Sequence, residues 1–159
     1  MPKKKILIHG IGNEILTDDG IGPKLVKRLQ TELPDSDIDF ETAFLGGLEV
    51  LEYITGYKTV ILIDAIKTRG GIPGAVYHLA REAFNTTMHL SSVHDVSFLT
   101  ALELGKELGF EMPEHVHIIA VEIVEDLTFS NDFTPQIQER YDEIFREVME
   151  ITMEIISGT

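Results

Sequence analysis

The stretch that most constrains this chain is residues 6–22, ILIHGIGNEILTDDGIG, which passes through three kinds of local structure in succession. Ile6-Leu7-Ile8 is an apolar run of strand character. Gly10-Ile11-Gly12-Asn13 favours a tight, partly left-handed loop. Asp18 and Asp19 follow, and Gly20-Ile21-Gly22-Pro23 leads into a helical pattern. In an open α/β sheet the loop after the first strand lies at the carboxyl edge, where ligands bind. Two adjacent carboxylates in that loop are therefore well placed for chemistry.

The rest of the chain continues the alternation. A helix is expected from about Gly20 to Leu33, with Ile21, Leu25, Val26 and Leu29 as its apolar stripe and Pro34 as its stop. Residues 37–43 alternate as a second strand, and a short helix over Leu48 to Ile54 follows Gly46-Gly47. Thr59 to Ile63 (TVILI) is apolar on both faces, the pattern of a buried parallel strand, and is expected to end at Asp64. A short strand near an edge is predicted at Ala75 to Leu79, and residues 81–94 read as mostly irregular. A helix from Asp95 to Leu108 should bury Val96, Leu99, Leu102 and Leu104. Val116 to Val121 is another buried strand. Thr134-Pro135 is a helix-starting pair for a last helix with Ile137, Tyr141, Ile144, Val148, Ile151 and Ile155 on one face. With no repeat or linker, the pattern predicts a single domain over residues 1–159. Its class is three-layer α/β/α, with a twisted, mostly parallel sheet of about five strands.

Charge and cysteine content limit the functions. The net charge of −14, from 27 acidic against 13 basic residues, repels phosphate backbones and anionic lipid, which argues against nucleic-acid and membrane roles. The chain has no cysteine, so thiolate nucleophiles, disulfides and Cys-based metal sites are excluded within it. Lys3-Lys4-Lys5 is not followed by an uninterrupted apolar run of signal-peptide length, and a cytoplasmic protein is expected. No exposed apolar helix face demands a partner, so a monomer is expected.

Three chemistries can be weighed. The Gly10-x-Gly12 loop opens like a dinucleotide fingerprint, but Ile15 stands where the third glycine belongs, and two aspartates occupy the approach of a pyrophosphate. A serine hydrolase lacks its G-x-S-x-G elbow. A metal-contacting site fits better. Asp64 ends the central strand at the same edge as Asp19, and His94 precedes a helix that can return to that edge. Two carboxylates and an imidazole suit a divalent transition metal with open positions. Asp18 is read as a cap of the first helix, where a carboxylate is favourable. His9, His78, His89, His115 and His117 read as structural or solvated.

The order Gly10-x-Gly12-Asn13-x-x-Leu16-x-Asp18-Asp19-Gly20-x-Gly22, then strand to Asp64-Ala65, then Ser92-Val93-His94-Asp95, closely resembles the nickel–iron hydrogenase maturation endopeptidases. The resemblance runs from the first strand to the last helix. It implies an aspartic-type endopeptidase that removes the C-terminal extension of a hydrogenase large-subunit precursor after nickel insertion. Carried across by position, Asp19, Asp64 and His94 become the metal-contacting trio, with Asp19 and Asp64 catalytic and Asp19 the base on water. Some family members have Glu where this chain has Asp19. Gly10, Gly12 and Asn13 become the substrate loop. Nickel would be supplied by the substrate, and no organic cofactor is implied. Glu14 has no assigned role, and Glu122 resembles a polar position of the family only loosely. The alternatives are a non-enzymatic assembly factor for nickel-loaded precursor and a nucleotide-binding α/β domain.

Overall fold

A computed structural model of the chain describes residues 5–43, 49–79, 87–88, 90 and 98–158. Five strands form one sheet in the order β2-β1-β3-β5-β4. They are β1 (Ile6–Ile11), β2 (Ile38–Ala43), β3 (Thr59–Ile66), β4 (Val76–Leu79) and β5 (His115–Glu122). β1 pairs in parallel with β2 and β3, and β3 with β5; only β4, at the edge, runs antiparallel, against β5. The helices are α1 (Ile21–Glu32), α2 (Val50–Ile54), α3 (Phe98–Glu107) and α4 (Pro135–Ser157).

Strand parity sorts the core into two layers. Ile6, Ile8, Ile61, Ile63, Ile119 and Val121 point one way and pack under α1 and α4. Leu7, Ile11, Val60, Leu62, Val116 and Ile118 point the other way, onto Leu51 and Ile54 of α2 and Ala101 and Leu102 of α3. Both faces of β1 and β3 are covered, so these strands are apolar at nearly every position. Each fully buried Ile or Leu contributes about 1.5–3 kcal/mol, so these layers are the main source of stability.

The chain starts in the middle of the sheet. β1 is followed by β2 on one side, and then by β3 on the other. The carboxyl ends of β1 and β3 therefore diverge to opposite connections, and this switch point is where a crevice opens in such sheets. Helix α1 is drawn tightly onto it. A Cβ added to Gly22 would lie 2.5 Å from the Ile63 carbonyl oxygen and 2.7 Å from that of Ile11, and one added to Gly10 would lie 2.5 Å from the Gly22 carbonyl oxygen. Glycine at both positions is what allows this approach of helix to strand.

Several boundaries differ from expectation. β3 does not end at Asp64 but continues to Ile66. Asp64 is tolerated there because its Oδ1 accepts the Ala65 N–H at 2.9 Å. Leu104 is 38% exposed, and Ala101 takes the inward position instead. Leu48, Val96 and the proposed helix start at Asp95 lie outside the described residues.

Candidate active site

The loop from Gly12 to Gly20 leaves β1 at the switch point and ends in a single 3-10 turn, Thr17–Gly20, before α1. Its shape is held by local turns, in which Leu16 N–H donates to the Asn13 carbonyl and Asp19 N–H to the Leu16 carbonyl, and by long-range contacts. Leu16 forms an isolated parallel bridge with Ser130, supported by Thr17 N–H to Ser130 O at 3.0 Å and Ser130 N–H to Ile15 O at 2.9 Å. Thr17 has a φ of 55°, which costs a β-branched residue strain. Its hydroxyl donates to the Thr128 carbonyl at 2.5 Å, and this bond helps to hold it there.

The two aspartates of this loop have separate functions in the fold. Asp18 does not cap α1: the cap of that helix is Gly20, with no side-chain hydrogen bond. Instead, Asp18 accepts the N–H groups of Val124 and Glu125 on Oδ2 (3.1 Å each) and that of Thr134 on Oδ1 (2.8 Å). The Thr134 hydroxyl donates to it as well, at 2.9 Å. Thr134 is the N-cap residue of α4, as the Thr-Pro pair predicts, but its hydroxyl serves Asp18 rather than its own helix. Asp18 is thus a structural anchor.

Asp19 is nearly fully buried, and its Oδ2 accepts the Asn13 N–H at 2.8 Å. Its backbone closes against Gly12, whose φ of 149° favours glycine and where any side chain would meet the Asp19 carbonyl. Asp64, fully buried, follows Ile63, the register partner of Gly10. The loop and Asp64 therefore lie towards the same carboxyl edge of β1 and β3, with the first turn of α1 drawn onto the Ile11 and Ile63 carbonyls. Glu14 pairs with Lys27 of α1 at 2.8 Å. A cleft of about 340 Å³ lies over the loop, lined by Gly12, Asn13, Glu14 and Ile15 and by Thr42 and Ala43 of β2. Gly10 is not part of its lining; it is enclosed by Gly22 and Val26.

His94 lies outside the described residues. The nearest described residues before it place the chain at this edge: Met88 N–H donates to the Ala65 carbonyl at 3.0 Å, and Leu90 is buried in the layer that contains Leu62. Among the described residues, no three His, Asp or Glu side chains are grouped so as to hold a metal ion. The donor set that includes His94 has the chemistry a divalent transition ion accepts.

One buried carboxylate was underrated by the sequence. Glu122 accepts Thr68 N–H at 2.7 Å, Thr68 Oγ1 at 2.5 Å and Tyr77 Oη at 3.1 Å. Tyr77, Ala120 and Asp64 are register partners across β4, β5 and β3, so Glu122 lies one row beyond Asp64 on the same sheet face. Burial, followed by this hydrogen bond, raises the Tyr77 phenol above its ordinary range. On the same face, His9 packs edge-on against Tyr53 with both ring nitrogens unpartnered among the described residues. Burial alone lowers its pKa to about 4. At the rim, Leu127 (81% exposed), Phe129 (78%) and Ile15 (50%) turn apolar side chains outward.

Fold and site together define an α/β protein with two buried aspartates at the switch point of its sheet. The sequence profile of the hydrogenase maturation proteases matches residues 23–151. The chain is 27% identical to the hydrogenase expression/formation protein HupD of Thiocapsa roseopersicina over 86% of its own length and 62% of that protein's. It is 26% identical to the hydrogenase 2 maturation protease of Escherichia coli (strain K12), over 91% of this chain and 88% of that one. In structure it is similar to the hydrogenase maturating endopeptidase HybD from E. coli, with a TM-score of 0.74, 26% identity and coverage of 94% and 93%. The chain belongs to the hydrogenase maturation protease family, a family of peptidases.

Proposed function

We propose that this protein is an endopeptidase that removes the C-terminal extension of a nickel–iron hydrogenase large-subunit precursor once nickel has been inserted. What supports the reading is that buried Asp19 and buried Asp64 lie towards the same edge of the sheet, beside its switch point, in a chain of this family. Asp19, Asp64 and His94 would contact the nickel already held by the substrate. Two carboxylates and an imidazole are donors that such an ion accepts.

Peptide hydrolysis needs a base for water, an acid for the leaving amine and a place for the substrate strand. Asp19 is assigned as the base, which makes the enzyme aspartic in type. Asp19 is nearly as buried as Asp64, so openness does not distinguish the two; what favours Asp19 is its Asn13 contact, which ties it to the loop lining the cleft. Water attacks the scissile carbonyl carbon and gives its proton to this carboxylate, which passes it to the departing nitrogen. Gly12 and Asn13 line the cleft where the extension would lie. The outward Ile15, Leu127 and Phe129 suit a protein substrate better than a small molecule. The lack of cysteine fits action in the reducing cytoplasm.

The test is intact mass after mixing the protein with nickel-loaded and nickel-free precursor. Loss of a C-terminal peptide from the loaded form alone is expected, and Asp19→Asn, Asp64→Asn and His94→Ala should each abolish it with folding preserved by circular dichroism. Binding without cleavage would make the protein an assembly factor and refute the endopeptidase reading. Full processing by all three variants would refute the site.

A further inference from the structure

On the sheet face opposite Asp64, two histidines converge. His117 shares the side of β5 that holds Ile119 and Val121, under α4. His78 reaches it from β4: its Nε2 lies 3.1 Å from His117 Nδ1, with ring centroids 5.2 Å apart and planes inclined by 39°. A cavity of about 310 Å³ opens over the pair, lined also by His115, Glu154 and Ile155. Helix α4 ends here, the Gly158 N–H bonding the carbonyls of Glu154 and Ile155. The helix C-terminus and the Glu154 carboxylate together make this end of the cavity attractive to a cation.

Two imidazoles at this distance either share a proton or direct both lone pairs at one ion. The separation suits either arrangement; the cavity over the pair, with the helix C-terminus and Glu154 at its end, favours the second. With nitrogen–metal bonds of about 2.05 Å, nitrogens 3.1 Å apart subtend roughly 100° at the ion, between the square-planar and tetrahedral angles. Only a neutral imidazole can act as a ligand. Burial first, and then the charges of His78 and His115, lower the affinity of His117 for protons. The cavity leaves room for water at the remaining positions.

We propose that His78 and His117 form a two-imidazole site for an exchangeable divalent transition-metal ion of the nickel, copper and zinc group, separate from the acidic site. With two protein ligands rather than three or four, the ion enters and leaves instead of holding the fold together. The site is independent of the proposed peptidase chemistry: it lies on the other face of the sheet, and His117 is three residues along β5 from Ala120, the register partner of Asp64.

The test is calorimetric titration of the protein with nickel chloride and, separately, zinc chloride. Wild type should bind one ion at this site. Loss of an outer-shell partner already lowers metal affinity by about 10–100-fold, so His78→Gln and His117→Gln should each weaken binding at least that much. Both residues are at or near the surface, and urea midpoints should confirm that the variants fold. Asp19→Asn/Asp64→Asn should keep the binding. Nickel-induced broadening of the His78 and His117 ring signals would locate the ion directly. Absence of binding in wild type, or binding unchanged in His78→Gln/His117→Gln, would overturn the proposal.

Discussion

Replacing Asp18 should unfold much of the protein's margin without touching the chemistry. Its carboxylate receives four donors: three backbone N–H groups, of Val124, Glu125 and Thr134, and the Thr134 hydroxyl. All four of these partners are donors, which suits the acceptor oxygens of a carboxylate. Hydrogen bonds to a charged group contribute about 1.5–3 kcal/mol each, so four at the lower bound would reach about 6 kcal/mol. The donors are part-buried and some will find water once the carboxylate is gone, so Asp18→Ala should cost about 3–4 kcal/mol. That is a large part of a typical stability of about 5–15 kcal/mol. Asp18→Asn is the sharper variant. It keeps the shape and one acceptor oxygen but turns an NH2 group towards donors, so its loss should come within about 1 kcal/mol of alanine's. Urea unfolding read at constant m measures both, and amide exchange at Val124, Glu125 and Thr134 should accelerate beyond that of the core strands. A loss below about 1 kcal/mol in either variant would refute the anchoring argument.

Three further outcomes follow from single residues. The folded protein protonates His9 only near pH 4, whereas the unfolded chain does so near about 6.5. The unfolded state therefore binds more protons in between, and stability should fall as pH drops from about 6.5 towards 4. Between pH 7 and 5 wild type should lose about 2 kcal/mol that His9→Phe does not lose; equal losses in urea melts at both pH values would contradict the assignment. Gly22→Ala should cost at least about 2–3 kcal/mol, since its Cβ meets backbone on two strands and neither can move aside. Gly158→Ala, which meets nothing nearer than 3.6 Å, should be near neutral in the same urea melts.

Much of this architecture is readable from the chain because the strands are buried on both faces. Ile6 to Ile8, Val60 to Ile63 and Ile118 to Val121 are apolar without alternation, the pattern of a covered parallel sheet. Glycines placed at 10 and 22 likewise mark the close approach of α1. Polar residues satisfied from far away in sequence were harder to read. Asp18 looked like a local helix cap, but its partners are more than a hundred residues distant. Asp64 looked like a strand end because a bare carboxylate inside a sheet is costly, and its bond to the next N–H was not foreseeable. Glu122 meets Thr68 only through the pairing of β3 with β5, and Tyr77 only through that of β4 with β5. For the same reason His78 and His117 read as unrelated solvated residues until the antiparallel edge was known. The edge shared by Asp19 and Asp64 was legible, since both positions follow from strand order.

The bridge between Leu16 and Ser130 and the contacts of Asp18 also set a schedule. The loop that carries Asp19 is synthesised well before Thr134, which helps fix it and is 116 residues later. At a synthesis rate of about 5–20 residues per second, that is a delay of roughly 6–23 s. During this interval the nascent chain can pair β1 with β2 and β3 but lacks Thr128, Ser130 and Thr134, the distant partners that hold the turn at Thr17 and Asp18. A half-made protease is therefore without its finished site, and the last helix, which contributes no residue to the acidic pair, determines when that site is complete.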